Sequence, residues 1–133
     1  MREPDSVEFF VRGKPVVWRP ARILRNGHKY TQSHVKIWQR MIARQARLAM
    51  AGRAILTGPV VLHLSFVKRH TKRNKKERWW IGSEDLTNLV KNAEDALNGI
   101  VYDDDRYVIG CSHIKIRGDV AGVLIRVEQV HEP

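Results

Sequence analysis

The sequence has a single cysteine, no long apolar run and few acidic residues for its size. One cysteine, Cys111, excludes an internal disulfide, so we expect a reducing compartment and a small buried thiol rather than a nucleophile. The apolar runs are far too short to span a bilayer, and the first residues lack the apolar core of a signal peptide. The chain is therefore expected to be cytoplasmic, without a membrane partner.

Acidic residues are outnumbered, because 14 Asp and Glu stand against 24 Lys and Arg and leave a net charge of +10. Such an excess favours a nucleic acid or an anionic surface as partner, since each neutralised phosphate releases counterions. A chain of 133 residues with 43% hydrophobic content can bury one real core. With no repeat or linker in the sequence, we expect one domain over residues 1–133, in which residues 1–5 form a disordered lead.

Hydrophobic periodicity predicts an α+β fold. The predicted order is strand, helix, strand, helix, strand, strand: residues 6–12, about 31–50, 59–67, about 85–98, and two closing strands on either side of 118–119. Thr31 or Ser33 can cap the first helix, and Gly52 stops it. Because the two closing strands look like a hairpin, we expect them to pair antiparallel, within a mixed or antiparallel sheet of about four strands packed on two helices.

The densest basic segment, "KRHTKRNKKER" over residues 68–78, is followed by Trp79 and Trp80. As a loop it suits contact with a nucleic-acid backbone, and its tryptophans could stack on a base or anchor the loop to the core. The residues predicted to bind DNA are Lys68, Arg69, Lys72, Arg73, Lys75 and Lys76, with Arg19 and Arg22 from the irregular basic segment 14–29. A stripe on the first helix is either a solvated face or a phosphate-contacting ridge: Lys36, Arg40, Arg44 and Arg47.

Against this basic background, at least six acidic residues collect over residues 84–107. On the second predicted helix a row of polar residues lies beside a continuous apolar face, with Glu94 outside the row: Asp85, Asn88, Asn92 and Asp95, with Lys91 at the edge. If the run 103–105 forms a strand beside this helix, Asp103 and Asp105 point one way and Asp104 the other.

One carboxylate of the run could then converge with Asp85 and Asp95. Oxygen ligands without grouped His or Cys suit Mg²⁺ or Mn²⁺ rather than Zn²⁺, and an ion held this way could support phosphodiester hydrolysis. Alternatively, Asp85 only caps the helix and the Asp run is a solvated turn.

Three segments, "DLTNLVK" at 85–91, "DAL" at 95–97 and "VYDDD" at 101–105, together resemble the signature of the RusA family of Holliday-junction resolvases. That signature reads Asp-Leu-Asp-Asn-Leu-x-Lys, then Asp-Ala-Leu, then a hydrophobic step into Asp-Asp. The resemblance is dense over residues 85–105 and looser elsewhere, where it extends to a basic Gly-x-Pro segment over 13–25. Members of the family are metal-dependent endonucleases that phages and prophages often encode.

The resemblance implies that Asp85 and Asp105 are catalytic metal ligands and that Lys91 is the catalytic lysine. Asp104 neighbours the last ligand, and Asp95 is favoured as a supporting one. Thr87 stands where the family usually has its second aspartate, so either the activity would be lower or the site would be completed by one of four residues: Asn88, Glu94, Asp95 or Asp104.

By the same resemblance the protein would be a homodimer that uses Mg²⁺, with Mn²⁺ as a substitute, to cut opposed strands of branched DNA in recombination and repair. It would be associated with the nucleoid and have no small-molecule substrate. Two other hypotheses are a non-catalytic nucleic-acid-binding protein in which Thr87 marks a degraded site, and a small basic protein of a ribonucleoprotein particle.

Overall fold

Alternating buried and exposed side chains mark the long strands in the computed structural model, which describes residues 5–30 and 33–131. The elements are β1 (Ser6–Arg12), β2 (Arg22–Ile23), β3 (Lys29–Tyr30), α1 (Ser33–Met50), β4 (Val60–Arg69), α2 (Leu86–Leu97), β5 (Val108–Gly118) and β6 (Gly122–Gln129). The predicted α+β class is confirmed. The predicted cap at Thr31 and residues 1–4 of the predicted lead lie outside the described residues.

The sheet has the strand order β1-β6-β4-β5, in which β6 is antiparallel to β1 and β4, and β4 is parallel to β5. The predicted pairing of the two closing strands is therefore wrong, because β4 lies between them. Residues 119–121 carry the chain across the end of β4, where the amide of His70 donates to the carbonyl of Gly118 over 2.9 Å. A short Gly-rich connection resembles a hairpin turn whether it joins neighbouring strands or crosses over one.

Both helices bury their apolar stripes on one face of this sheet. The core face of β4 is the predicted one and is fully buried: Val60, Leu62, Leu64 and Phe66. Trp38 and Ile42 of α1 and Leu89 and Leu97 of α2 pack into the same core. The helix α1 ends as predicted at Met50, where the positive φ angles of Ala51 and Gly52 turn the backbone away. No helix among residues 5–30 and 33–131 has the length and hydropathy needed to cross a membrane.

The segment before α1 lies along α2 and then forms a small hairpin. The amide of Trp18 donates to the carbonyl of Asn88 over 2.9 Å, and the buried Asn92 donates from Nδ2 to the carbonyl of Val16 over 2.9 Å. The strands β2 and β3 then pair around the predicted turn at Asn26 and Gly27. The basic N-terminal segment is thereby fixed beside the face of α2 that carries its polar row.

Gly122 is required where β6 approaches β1. A Cβ at this position would overlap the carbonyl oxygen of Val11 and the ring of Phe10, whereas at Gly110 it would make only ordinary contacts with Val61, the nearest at 3.6 Å. We expect Gly122→Ala to lower the free energy of unfolding by about 1–3 kcal/mol, since strand backbones must move apart. Urea unfolding of both variants measures this, with Gly110→Ala as the matched control. Equal stability of the two variants would contradict the expectation.

Candidate active site

Asp85 begins α2 as its N-cap, with φ −74° and ψ 122°, and its Oδ1 accepts the amide of Thr87 over 2.9 Å. Aspartate is favoured here because its carboxylate satisfies a free amide and complements the positive end of the helix dipole. The predicted cap is thus confirmed. Asp85 is also exposed, so capping does not withdraw it from solvent or from a ligand.

Next to Asp85 in the sequence, Glu84 is held by three partners, of which Lys68 and Lys115 are distant in the sequence. Its Oε1 accepts Lys68 Nζ over 2.9 Å and its Oε2 accepts Trp80 Nε1 over 3.2 Å, while Lys115 Nζ donates to the Glu84 carbonyl over 2.8 Å. The two ammonium groups also lie over the buried Trp80 ring, 5.4 and 5.5 Å from its centroid. The hydrogen bond from Lys68 is the main cause that lowers the pKa of Glu84 to about 2.

We call Glu84, Lys68, Trp80 and Lys115 the Glu84 cluster. It fixes the start of α2 against β4 and β5, and sequence reasoning missed it because its members come from three segments, β4, the loop before α2 and β5. Lys68, predicted to contact DNA, has its ammonium group paired with Glu84 instead.

The run 103–105 lies beyond the other end of α2 and is not a strand. Asp104 caps a single 3-10 turn, Asp105–Tyr107, and its Oδ1 accepts the amide of Arg106 over 3.3 Å. Asp103 is exposed and lines a shallow pocket with residues 55–58 and Tyr107. The predicted strand-like alternation of these three carboxylates is therefore wrong, because three adjacent acids favour a turn that solvates them.

Asp104 and Asp105 interact directly. The neighbouring Asp105 side chain is the largest cause that lowers the pKa of Asp104, and the Asp104 side chain is the largest cause that raises the pKa of Asp105. The negative charges of Asp104 and Asp95 raise the pKa of Asp105 further, and Lys91 opposes them. Two neighbouring carboxylates that repel each other in this way form a site where a cation can relieve the repulsion.

Glu94 belongs to the same acidic group, contrary to the helical-wheel expectation. Burial is the main cause that raises its pKa, followed by the charges of Asp105 and Asp95, while Lys91 lowers it. The carbonyl of Glu94 also accepts the hydroxyl of the buried Tyr102 over 3.0 Å. The helical wheel placed Glu94 outside the row because it compares only residues of α2. The loop after α2 folds back against a different face of the helix and brings Asp105 towards Glu94.

Lys91 stands between this acidic group and an aromatic ring. Its Nζ lies 4.7 Å from the ring centroid of Trp18, and its charge acts on Glu94, Asp95 and Asp105. A cation over an aromatic face gains electrostatic attraction and loses mobility. Trp18 thus orients the lysine, a role that nothing in the sequence indicated.

The length of α2 keeps the predicted metal ligands apart. With a rise of about 1.5 Å per residue, Asp85 and Asp95 are separated by about 15 Å along the helix axis. They share a side of the helix but cannot bind one ion. In the part of the chain that the structure describes, no three or more His, Cys, Asp or Glu residues form a group that could hold a metal. The expected convergence of Asp85, Asp95, Asp104 and Asp105 on one ion is therefore not met within a single chain.

The pair Asp104 and Asp105 nevertheless suits a hard divalent cation. Mg²⁺ is usually held by one or two carboxylates and keeps several waters, so the pair supplies enough protein ligands. Nearby Glu94 and Asp95 add negative charge, and burial is the main cause that raises the pKa of each, while Lys91 opposes it.

The predicted DNA-binding residues lie on two exposed segments. Arg69 ends β4, Lys72, Arg73, Lys75 and Lys76 project from the loop after it, and Arg19 and Arg22 project from the segment before α1. The loop returns beside β5, where the Arg78 carbonyl accepts the amide of Arg117 over 2.7 Å. Trp80 is 2% exposed and anchors the loop to the core. Trp79 is 51% exposed beneath the Arg78 guanidinium, so base stacking stays a prediction for this tryptophan alone.

Cys111 is exposed, so the expectation of a buried thiol is wrong. Neighbouring atoms and the charge of Glu94 raise the pKa of Cys111 to about 11. The thiol is therefore protonated at neutral pH, which agrees with the expectation that it is not a nucleophile.

Comparison with known proteins finds similarity along most of the chain. The model of the family described as "Endodeoxyribonuclease RusA" matches residues 13–128, which include both ends of α2, all of β4 and β5, and β6 up to its last residue, but not β1. The chain is also 28% identical over 143 aligned residues to the uncharacterized protein YqaN of Bacillus subtilis (strain 168), covering 95% of this chain and 98% of YqaN.

Glu84 should stabilise the fold in a pH-dependent way. Since its folded-state pKa is lowered from 4.5 to about 2, the stabilisation is complete above pH 4.5 and is lost as the pH falls towards 2. We expect Glu84→Gln to cost about 2 kcal/mol of unfolding free energy at neutral pH and less at about pH 3.5. Urea unfolding at both pH values measures this.

The control is Glu8→Gln, which removes a half-exposed carboxylate 3.9 Å from Arg126. Such a surface pair is worth at most about 1 kcal/mol. A Glu84→Gln cost that does not shrink at low pH would show that packing, rather than the charge, is responsible.

Proposed function

Because the chain belongs to the RusA family of endodeoxyribonucleases, we propose that it is a structure-selective DNA endonuclease that resolves Holliday junctions with Mg²⁺ or Mn²⁺. The observation that carries this proposal is the adjacent Asp104–Asp105 pair, whose carboxylates perturb each other near Lys91 in a chain of net charge +10. The substrate would be branched DNA in recombination and repair, reached in the cytoplasm at the nucleoid.

Asp104 and Asp105 would hold the divalent ion, which when bound supplies an activated water and neutralises phosphate charge. Lys91 would stabilise the negative charge that develops on the phosphate, because its ammonium group is already oriented by Trp18. Glu94 and Asp95 would hold the local potential negative, so that the cation rather than a second phosphate occupies the site.

We further propose a homodimer whose two copies complete each other's sites. Asp85 and the Asp104–Asp105 pair belong to opposite ends of α2, so one chain does not bring them together. In a two-fold dimer with antiparallel α2 helices, the partner's Asp85 could approach the pair. Two such sites would cut two strands of one junction symmetrically.

Thr87 in place of the family's second aspartate favours one alternative, a junction-binding protein that does not cut. We favour Asp104 as the compensating ligand, because it is the carboxylate that most strongly raises the pKa of Asp105.

Asp105→Asn should abolish metal-dependent cleavage of a synthetic four-way junction while binding persists or tightens, because a negative charge beside the phosphates is removed. Asp103→Asn is the matched control, since it removes the same charge from a carboxylate that lines a different pocket. Gel assays with and without Mg²⁺ measure cleavage, and binding is measured without metal. Binding by the native chain with no cutting under any metal would favour the non-catalytic alternative.

Mixing inactive Asp85→Asn and Asp105→Asn chains tests the shared site. If each site takes Asp85 from one copy and Asp105 from the other, a mixed dimer contains one intact site and nicks one strand. If each site lies within one chain, the mixture stays inactive, and the shared-site proposal fails.

Neutralising Lys72, Arg73, Lys75 and Lys76 to Gln should weaken junction binding at fixed salt. Each lost phosphate contact lowers the slope of log affinity against log salt by about one. The matched control exchanges Lys for Arg and Arg for Lys at the same positions, which keeps the charge and should keep the affinity. Unchanged affinity of the neutralised chain would move the DNA-binding face away from this loop.

A further inference from the structure

The helix α1 carries four cations and no acid over its 18 residues, "SHVKIWQRMIARQARLAM". The structure divides the cations between two sides of the helix. Lys36, Arg40 and Arg47 line one open groove, whereas Arg44 lies on the other side beside Arg12 of β1. The single basic stripe expected from the periodicity is therefore two surfaces, of which the first holds three converging positive charges.

We call the first surface the α1 groove. Its walls are α1 and the C-terminal end of α2, and small side chains keep it open; besides the three cations it is lined by Gln39, Ala43, Ala96, Asn98 and Ile100. It has a volume of about 270 Å³ and opens broadly to solvent.

Over residues 5–30 and 33–131, the three cations of the α1 groove have no counter-charge. Among the side chains that the structure describes, none of the three forms an ion pair. Like charges one turn apart, such as Lys36 and Arg40, destabilise a helix, and solvated helix faces usually relieve this with acids at the same spacing. An arrangement that costs stability and lacks acids is explained by an external anion.

A purely structural explanation is that the cations complement the negative end of the α2 dipole. None of them, however, hydrogen-bonds the last turn of α2 in the described part of the chain, although such bonds are the usual form of that interaction. The two explanations predict different changes in melting temperature when the arginines of the groove are replaced by neutral residues.

The α1 groove adjoins the acidic group. Its wall at Asn98 and Ile100 continues through the buried Tyr102 into Asp104 and Asp105. The loop after β4 lies instead near the start of α2, through the Glu84 cluster. The 12-residue helix separates these two basic surfaces by about 18 Å.

We propose that the α1 groove binds the sugar–phosphate backbone of a second DNA arm, on the far side of the acidic group from the basic loop. From Lys36 to Arg47 the groove extends about 16 Å along α1, a length that spans several phosphates of one strand. This inference rests on the proposed function for its substrate, DNA, but not on cleavage.

The test compares Arg40→Gln with Arg47→Gln in one chain against Arg12→Gln with Arg44→Gln in another. Both double variants lose two exposed arginines, and α1 contributes to both, so a general effect of net charge is matched. Affinity for a synthetic four-way junction is measured without divalent metal at several NaCl concentrations. We expect the groove variant to bind about tenfold more weakly, with a salt slope lower by about two, and the control to bind like the native chain.

Melting temperature separates binding from folding. The proposal expects the groove variant to melt at the native temperature or slightly above, because like-charge repulsion is relieved. A lower melting temperature with an unchanged salt slope would assign the cations to the α2 dipole and overturn the proposal. Equal losses of affinity in both double variants would also overturn it.

Failure of this inference is distinguishable from failure of the proposed function. A native chain that cuts junctions, with a groove variant that binds normally, refutes only the α1 groove. A native chain that binds junctions but never cuts them refutes the proposed nuclease activity. The proposal for the α1 groove is then still decided by the binding comparison of the two double variants. A native chain without affinity for DNA refutes both.

Discussion

The fixed length of α2 is the constraint on which the candidate site depends. Its apolar face is buried against the sheet and α1, Asn92 ties it to the N-terminal segment, and Asp85 caps its start, so the helix cannot slide or shorten. The Glu84 cluster is consequently held at one end and the Asp104–Asp105 pair at the other, with Lys91 between them. Each electrostatic relation in the site follows from this spacing.

The acids at the two ends of α2 differ in their protonation chemistry. Lys68 neutralises Glu84 and lowers its pKa, so this carboxylate stays charged and structural. Glu94, Asp95 and Asp105 have raised pKa values, because burial or other carboxylates outweigh Lys91. Partial burial and mutual repulsion thus disfavour the charged forms of these acids. Such a group of acids is the kind of site that a divalent ion stabilises, and perturbed pKa values are enriched at functional sites for this reason.

Local patterns predicted the elements well, and long-range placement poorly. The strands β1 and β4, the core face of β4 and both ends of α2 follow from alternation, capping and glycine at helix ends. The position of β4 between β5 and β6 could not be predicted in this way, because the sequence of a short turn does not indicate whether the turn crosses another strand. Angular position on a helical wheel grouped Asp95 with Asp85 and set Glu94 apart, since a wheel omits the distance along the axis and the return of the chain. The Glu84 cluster needed the tertiary contacts of β4 and β5.

The replacement of an aspartate by Thr87 affects the end of α2 that has fewer acids to lose. Within one chain, the start of α2 has Asp85 as a carboxylate that can bind a metal ion, since Glu84 is already paired with Lys68. In the proposed dimer, Asp85 from one copy and the Asp104–Asp105 pair from the other would still present three carboxylates. Three negative charges exceed the two positive charges of Mg²⁺, and an ion that keeps several waters needs no fourth carboxylate. The missing aspartate would therefore cost affinity for the ion without removing the negative potential that attracts it.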